Sequence, residues 1–171
     1  SGTFTEGGGG VAIADSDSSI TDVDSANMKG MTVTLNNEQD TGLETLSIAG
    51  TLPAGITVSG SGTTALTFSG SATKAAYEIA LEQVRYNNTS EDPSTTARTF
   101  NVQVTDDITG KVSNVAVATL TMTPAADAPV LDLDANDSTA TATSYSGTFT
   151  EGGGGVAIAD LDSSITDVDS A

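Results

Sequence analysis

The sequence contains no cysteine, no histidine and no tryptophan. Without cysteine, neither a disulfide framework nor thiol chemistry can operate. Without histidine, the commonest general base and the commonest transition-metal ligand are both missing. Basic residues are almost as scarce, with 5 Lys and Arg against 23 Asp and Glu and a formal charge of −18. A body so charged repels nucleic acid and anionic lipid, which excludes both as partners. Aromatic residues make up only 4% of the chain. The core must therefore come from Val, Ile, Leu and Ala with a few Phe and Tyr, which suits a thin layered domain better than a large α/β enzyme. No apolar run approaches the length of about 18 residues needed to span a bilayer, and no segment has the layout of a signal peptide.

What the chain does contain is a repeat. Residues 1–26 and 146–171 match at 25 of 26 positions, with Ser16 against Leu161 as the single difference, at an offset of 145 residues. Near-identity at that length implies recent duplication within a longer tandem array. Short solenoid units cannot stand alone, but a period of 145 residues can enclose its own core, so the expected architecture is a string of domains. The chain opens in the middle of the pattern, as expected of a piece of that array with any export signal elsewhere.

Period-two alternation of apolar and polar residues predicts strands along most of the sequence. It is seen at Met31-Thr32-Val33-Thr34-Leu35, at Leu46-Ser47-Ile48 and at Phe100, Val102 and Val104. Ile56-Thr57-Val58 and Ala65-Leu66-Thr67-Phe68 flank Gly60-Ser61-Gly62 as a hairpin. The longest strand is expected over Val112 to Thr123, bounded by Pro124. Val11-Ala12-Ile13 follows four glycines, where a turn or bulge is expected. One segment changes period: Ala76, Tyr77, Ala80, Leu81 and Val84 recur at helical spacing behind Thr73, a good N-cap. The fold class predicted is all-β, an antiparallel Greek-key β-sandwich with one short helix.

The carboxylates are clustered. Asp15, Asp17, Asp22 and Asp24 form D-x-D-x4-D-x-D, and Asp106 adjoins Asp107 at a strand end. Asp127, Asp132, Asp134 and Asp137, with Asn136, form a second dense run, and the first cluster recurs as Asp160, Asp162, Asp167 and Asp169. Carboxylates so close repel one another unless a cation lies among them. Calcium accepts six to eight oxygen ligands in flexible geometry, whereas zinc and copper want the nitrogen or sulfur this chain lacks, and magnesium prefers to keep its water. Against this, Asp is common in loops as a turn former. Several clusters at strand ends near a repeat junction favour calcium. The spacing does not match the EF-hand loop.

These residues carry a family resemblance. Asp22-Val23-Asp24-Ser25-Ala26-Asn27 resembles the D-x-D-x-x-N element of cadherin-type repeats, and Thr5-Glu6 resembles their first-strand calcium glutamate. Asp127-Ala128-Pro129-Val130 resembles the bacterial cadherin-like boundary V-N-D-A-P-V, with Ala126 where that motif has Asn. The stretch from Tyr77 to Arg98 is similar to repeats of giant RTX-type adhesins exported by type I secretion from Gram-negative bacteria. The resemblance implies calcium held by Glu6, Asp22, Asp24, Asn27, Asp106, Asp107 and Asp127. By recurrence it adds Glu151, which repeats Glu6, while Asp132, Asp134, Asn136 and Asp137 come from spacing. It also implies an extracellular location at the bacterial surface, with neighbouring repeats as the partners.

The division expected is a body over residues 1–126 and a boundary linker with the first strands of the next repeat over 127–171. Residues 146–171 could instead complete the same sandwich as 27–126, or exchange between chains. One function reading is a calcium-stabilised extender spacer that projects a distal binding domain for attachment or biofilm formation. Another is a module that itself binds carbohydrate, protein or ice, although Tyr77, Tyr86 and Tyr145 do not make an aromatic platform. A catalytic reading fares worst: Gly7–Gly10 lack the Lys-Ser/Thr of a phosphate loop, and the acid pairs lie in junction loops. Neither an enzymatic activity nor a small-molecule substrate is expected.

Overall fold

The computed structural model describes residues 2–169. The chain divides into two compact units, Ser1–Ala125 and Ala126–Ala171. It is mostly β, with several sheets and one short helix. No helix among the described residues is long and apolar enough to cross a membrane.

Unit 1 holds β1 (Gly2–Thr5), β2 (Val11–Ala12), β3 (Asn27–Leu35), β4 (Glu44–Ile48), β5 (Thr57–Ser59) and β6 (Ala65–Thr73). Helix α1 (Lys74–Glu82) follows, then β7 (Val84–Asn88), β8 (Arg98–Asp106) and β9 (Ala116–Thr123). Six strands form one sheet in the order β1-β9-β8-β3-β6-β5, and β2-β7-β4 form another. Both contribute to one apolar core. Met28, Met31, Val33 and Leu35 from β3 meet Leu66, Phe68, Phe100 and Leu120 of the larger sheet and Leu46, Val84 and Tyr86 of the smaller. At its centre Tyr86 makes edge-on contacts with Phe4 and Phe100, each with ring centroids 5.4 Å apart. Each such side chain, fully buried, contributes about 1.5–3 kcal/mol.

The strands follow from local sequence with instructive exceptions. Met28 and Met31 are three apart, yet both are buried, because a register shift between Met28 and Gly30 lets β3 bulge. The β5–β6 hairpin turns at Gly60, whose φ of 85° and whose missing Cβ, which would meet the Ala65 carbonyl oxygen at 2.1 Å, admit only glycine. The four-glycine stretch is the turn between β1 and β2, closed by Gly8 N–H donating to the Thr5 carbonyl. Thr73 caps α1, accepting from the Ala76 N–H at 3.2 Å. Tyr77 and Ala80 face the core, and the Tyr77 hydroxyl donates to the Gly70 carbonyl at 2.7 Å.

Three expectations change. Val84 belongs to β7 and not to the helix, because Val84, Tyr86 and Asn88 alternate inward against β4. The long strand expected from Val112 starts only at Ala116. Val112 makes an isolated bridge to Thr105, and the Ser113 hydroxyl accepts from the Val104 N–H, taking the place of a ladder carbonyl. The strands are not all antiparallel either. β1 runs parallel to β9, which is possible because the whole body lies between them in sequence.

Unit 2 has one antiparallel pair, β10 (Val130–Asp132) and β11 (Ser164–Thr166). Among the described residues none of unit 2 joins the buried apolar cluster. The repeated sequence therefore has two structures. Gly2–Thr5 and Val11–Ala12 are strands, whereas their twins at 147–150 and 156–157 are not. Conversely, Ser164–Thr166 form β11, while the identical Ser19-Ile20-Thr21 form no strand.

Candidate metal centre

In unit 2 the chain leaves β10 and turns back through a loop whose centre is Asp134, the only fully buried acid of that unit among the described residues. One oxygen, Oδ1, accepts from the Ser138 N–H at 3.0 Å and hydroxyl at 3.2 Å. The other, Oδ2, accepts from the Thr139 N–H and hydroxyl, both at 2.6 Å, and from the Ala140 N–H at 3.0 Å. The Thr139 hydroxyl, with the backbone N–H donors, holds the Asp134 carboxyl well below the usual range against the opposing effect of burial.

Asp160 and Asp162 come to the same place. One carboxylate oxygen from each of Asp134, Asp160 and Asp162 lies within 4.8 Å of the other two. Asp160 Oδ2 accepts from the Ser138 hydroxyl at 2.9 Å, and its backbone N–H donates to the Leu133 carbonyl at 2.8 Å. Asp162 Oδ1 is buried and receives no hydrogen bond. Three acids with one orphaned oxygen suit a hard cation, for which hydroxyl oxygens of Ser138 and Thr139 are additional neutral ligands. Asp134 already accepts five donors, so its share in such a site requires those hydroxyls to rotate.

Other expected ligands stand elsewhere. Asp132 Oδ1 accepts from the Asp134 N–H at 3.0 Å and Asn136 Oδ1 from the Ser138 N–H at 2.9 Å, so both shape the loop. Asp137 is exposed at a positive φ of 55°. The Asp127 N–H donates to Asp169 Oδ2, and the Asp169 N–H to Asp167 Oδ1 at 3.2 Å. Glu151 is exposed in a turn.

Unit 1 gathers a different set. Asp22, Asp24 and Asp106 line a cleft of about 230 Å³ that also contains Thr109 and Lys111. Asp106 is buried and accepts from the Ser25 and Thr109 hydroxyls and from the Ile108 and Thr109 N–H groups. Those donors, the Ser25 hydroxyl first, hold its carboxyl well below the usual range. Asp22 is also lowered, first by a side-chain hydrogen bond with Asp24 and then by the Asp24 and Ser25 N–H groups. Asp107 faces away, accepting from the Ser71 hydroxyl at 2.6 Å. Asn27 begins β3 opposite Thr73. Glu6 follows β1, and its Oε2 accepts from the Ala125 N–H at 2.7 Å. Asp15 and Asp17, twins of Asp160 and Asp162, are exposed.

One constellation carries no motif in the sequence. Arg98 is fully buried, and its guanidinium holds Glu44 Oε1 at 2.6 and 2.7 Å and Asp40 Oδ2 at 2.6 Å. Burial, the largest single effect, pushes Arg98 down, but the hydrogen bond to Glu44 and the charges of Glu44, Tyr86 and Asp40 together outweigh it, and the net shift is upward. Asp40 also receives Asn88 Nδ2 at 2.6 Å and the Ser94 N–H at 3.2 Å, so the cluster ties two loops to β4, β7 and β8. All acceptors and donors but Glu44 Oε2 are engaged, as befits a structural staple. Burial, and then Glu44, push the Tyr86 hydroxyl upward.

Comparison with family models, curated proteins and solved structures finds no match to this chain.

Proposed function

We propose that the chain is a calcium-stabilised spacer repeat of a large bacterial surface adhesin, built as a Greek-key, immunoglobulin-like sandwich and repeated in tandem. The observation that carries the calcium reading is the Asp134, Asp160 and Asp162 group, with oxygens within 4.8 Å and Asp162 Oδ1 unpartnered. Left bare, three such carboxylates repel; a divalent ion among them turns that repulsion into attraction. The tandem reading rests on the 25 matched residues of the repeat. The sandwich reading draws support from two sheets sharing one core and from the non-sequential neighbours β8-β3-β6, which require crossing connections. The parallel pairing of the first strand with the last also fits such a fold.

In this reading extracellular calcium stiffens each repeat, and the array holds a distal binding domain away from the cell. A ligand at a thousand times its dissociation constant stabilises by about 4 kcal/mol, so even sites of modest affinity matter where calcium is abundant. The test is calorimetric titration of the chelator-treated chain with Ca2+ and, separately, Mg2+. Heat and a raised melting temperature with calcium alone support the proposal; no binding of either ion removes it.

A further inference from the structure

We propose that the outer face of the six-stranded sheet of unit 1 is a contact surface for the same face of a second copy of this chain, so that copies associate side by side. The six strands contain only three charged residues, Lys29, Arg98 and Asp106. Arg98 and Asp106 are buried, and Lys29 stands in the β3 bulge with its ammonium beside Gly110, just after β8. The residues that point outward along the rest of the sheet are uncharged. One row runs Gln103, Thr32, Thr67 and Ser59 in register across four neighbouring strands, and the next pairs Asn101 with Thr34. These side chains are exposed or half-buried, while Val33, Leu66 and Val102 between them face the core.

A chain with a formal charge of −18 offers few places where another copy can approach. Acidic loops repel wherever they meet, and this face is where that repulsion is least. Its chemistry is also complementary to itself. Each Thr or Ser hydroxyl and each Asn or Gln amide both donates and accepts, so two such faces related by a two-fold axis pair without a counter-charge. A glycan is the poorer occupant. It would want an aromatic platform, and the aromatic residues of this sheet, Phe4, Phe68 and Phe100, all face the core.

Strand spacing of about 4.8 Å and a rise of about 3.3 Å per residue give the face a footprint of roughly 500 Å². A pair then covers about 1,000 Å² in total, at the low end of specific interfaces, so two single chains bind weakly. In the tandem array of the proposed function, on which this consequence alone rests, each contact after the first is intramolecular and the weak pairings multiply. Two arrays lying side by side are held together where two isolated repeats are not.

The test is sedimentation equilibrium of the full chain at rising concentration, in low salt and in about 1 M NaCl, where the Debye length is about 3 Å. Mean mass is expected to rise from 17.0 kDa toward twice that, more steeply in salt, because screening removes the repulsion between the acids around the face. The outward side chains of the face include no carboxylate, so the same rise is expected with calcium and in chelator. That keeps a failure here apart from a failure of the calcium reading. Thr32→Glu with Thr67→Glu, both at exposed sites, must hold the mass at that of the monomer while circular dichroism stays that of the parent. Mixing this variant with Thr32→Lys, Thr67→Lys must restore association in low salt, which a merely misfolded variant would not do. A monomer at every concentration in high salt, association that survives the Glu pair, a mixture that stays monomeric, or association only with calcium would overturn the proposal.

Discussion

Phe4 and Phe149 hold the same place in two copies of one sequence, yet Phe4 is 1% exposed against Tyr86 and Phe149 is 69% exposed. The difference lies entirely in what surrounds them. Strand formation in this segment is imposed by the body that β1 and β2 dock upon, because local propensity is identical in both copies.

That contrast gives a paired mutational prediction. Phe4→Ala is expected to destabilise unit 1 by about 3–5 kcal/mol, the usual cost of emptying a core phenylalanine site. Phe149→Ala in dilute solution should change stability by no more than about 0.5 kcal/mol. Denaturant unfolding followed by tyrosine fluorescence measures both. Equal losses would contradict the two environments.

The buried cluster at Arg98 predicts a second asymmetry. Arg98→Leu leaves Glu44 and Asp40 without their cation and should cost about 3–5 kcal/mol, as breaking a buried pair does. Replacing Arg98 and Glu44 together by apolar residues should cost less than Arg98→Leu alone, since fewer uncompensated charges stay inside. A double-mutant cycle by thermal unfolding checks it.

Much of this is legible in the sequence, and the failures have physical causes. The helix is readable because Thr73, Ala76, Tyr77 and Ala80 state a cap and a period within one turn or two. The hairpin at Gly60 is readable for the same local reason. β7 is hidden because Val84 continues the helical spacing, and only β4 alongside shows that Val84, Tyr86 and Asn88 face one way. The Asp134 group is half legible: the acids stand out, but Ser138 and Thr139, which determine where Asp134 points, look like ordinary loop residues. Asp40, Glu44 and Arg98 carry no signal, being scattered over 58 residues until the sheets assemble. The two fates of the repeat cannot be read locally at all.

Acid should probe Asp106 and Asp134 selectively. Both carboxyls are held below the ordinary value of 3.8, Asp106 by the Ser25 and Thr109 hydroxyls and Asp134 by Thr139. A depressed folded value means that the stabilisation is fully present above about pH 4 and is lost as pH falls through the folded value. Asp106→Asn should therefore lower the melting temperature at neutral pH, with the gap to the parent closing below about pH 4. Thermal melts across that range decide it, and a gap that does not narrow in acid would contradict the assignment.

The proposed calcium site is the acid group of unit 2, Asp134, Asp160 and Asp162. Its most direct measurement is calorimetric calcium titration of the chelator-treated chain beside the Asp160→Asn, Asp162→Asn double variant. The account predicts that the parent chain binds calcium and melts higher with it, by an amount that chelator reverses. It also predicts that the double variant binds at least one ion fewer per chain. Equal calcium uptake by both chains, or melting curves that calcium does not move, would contradict it.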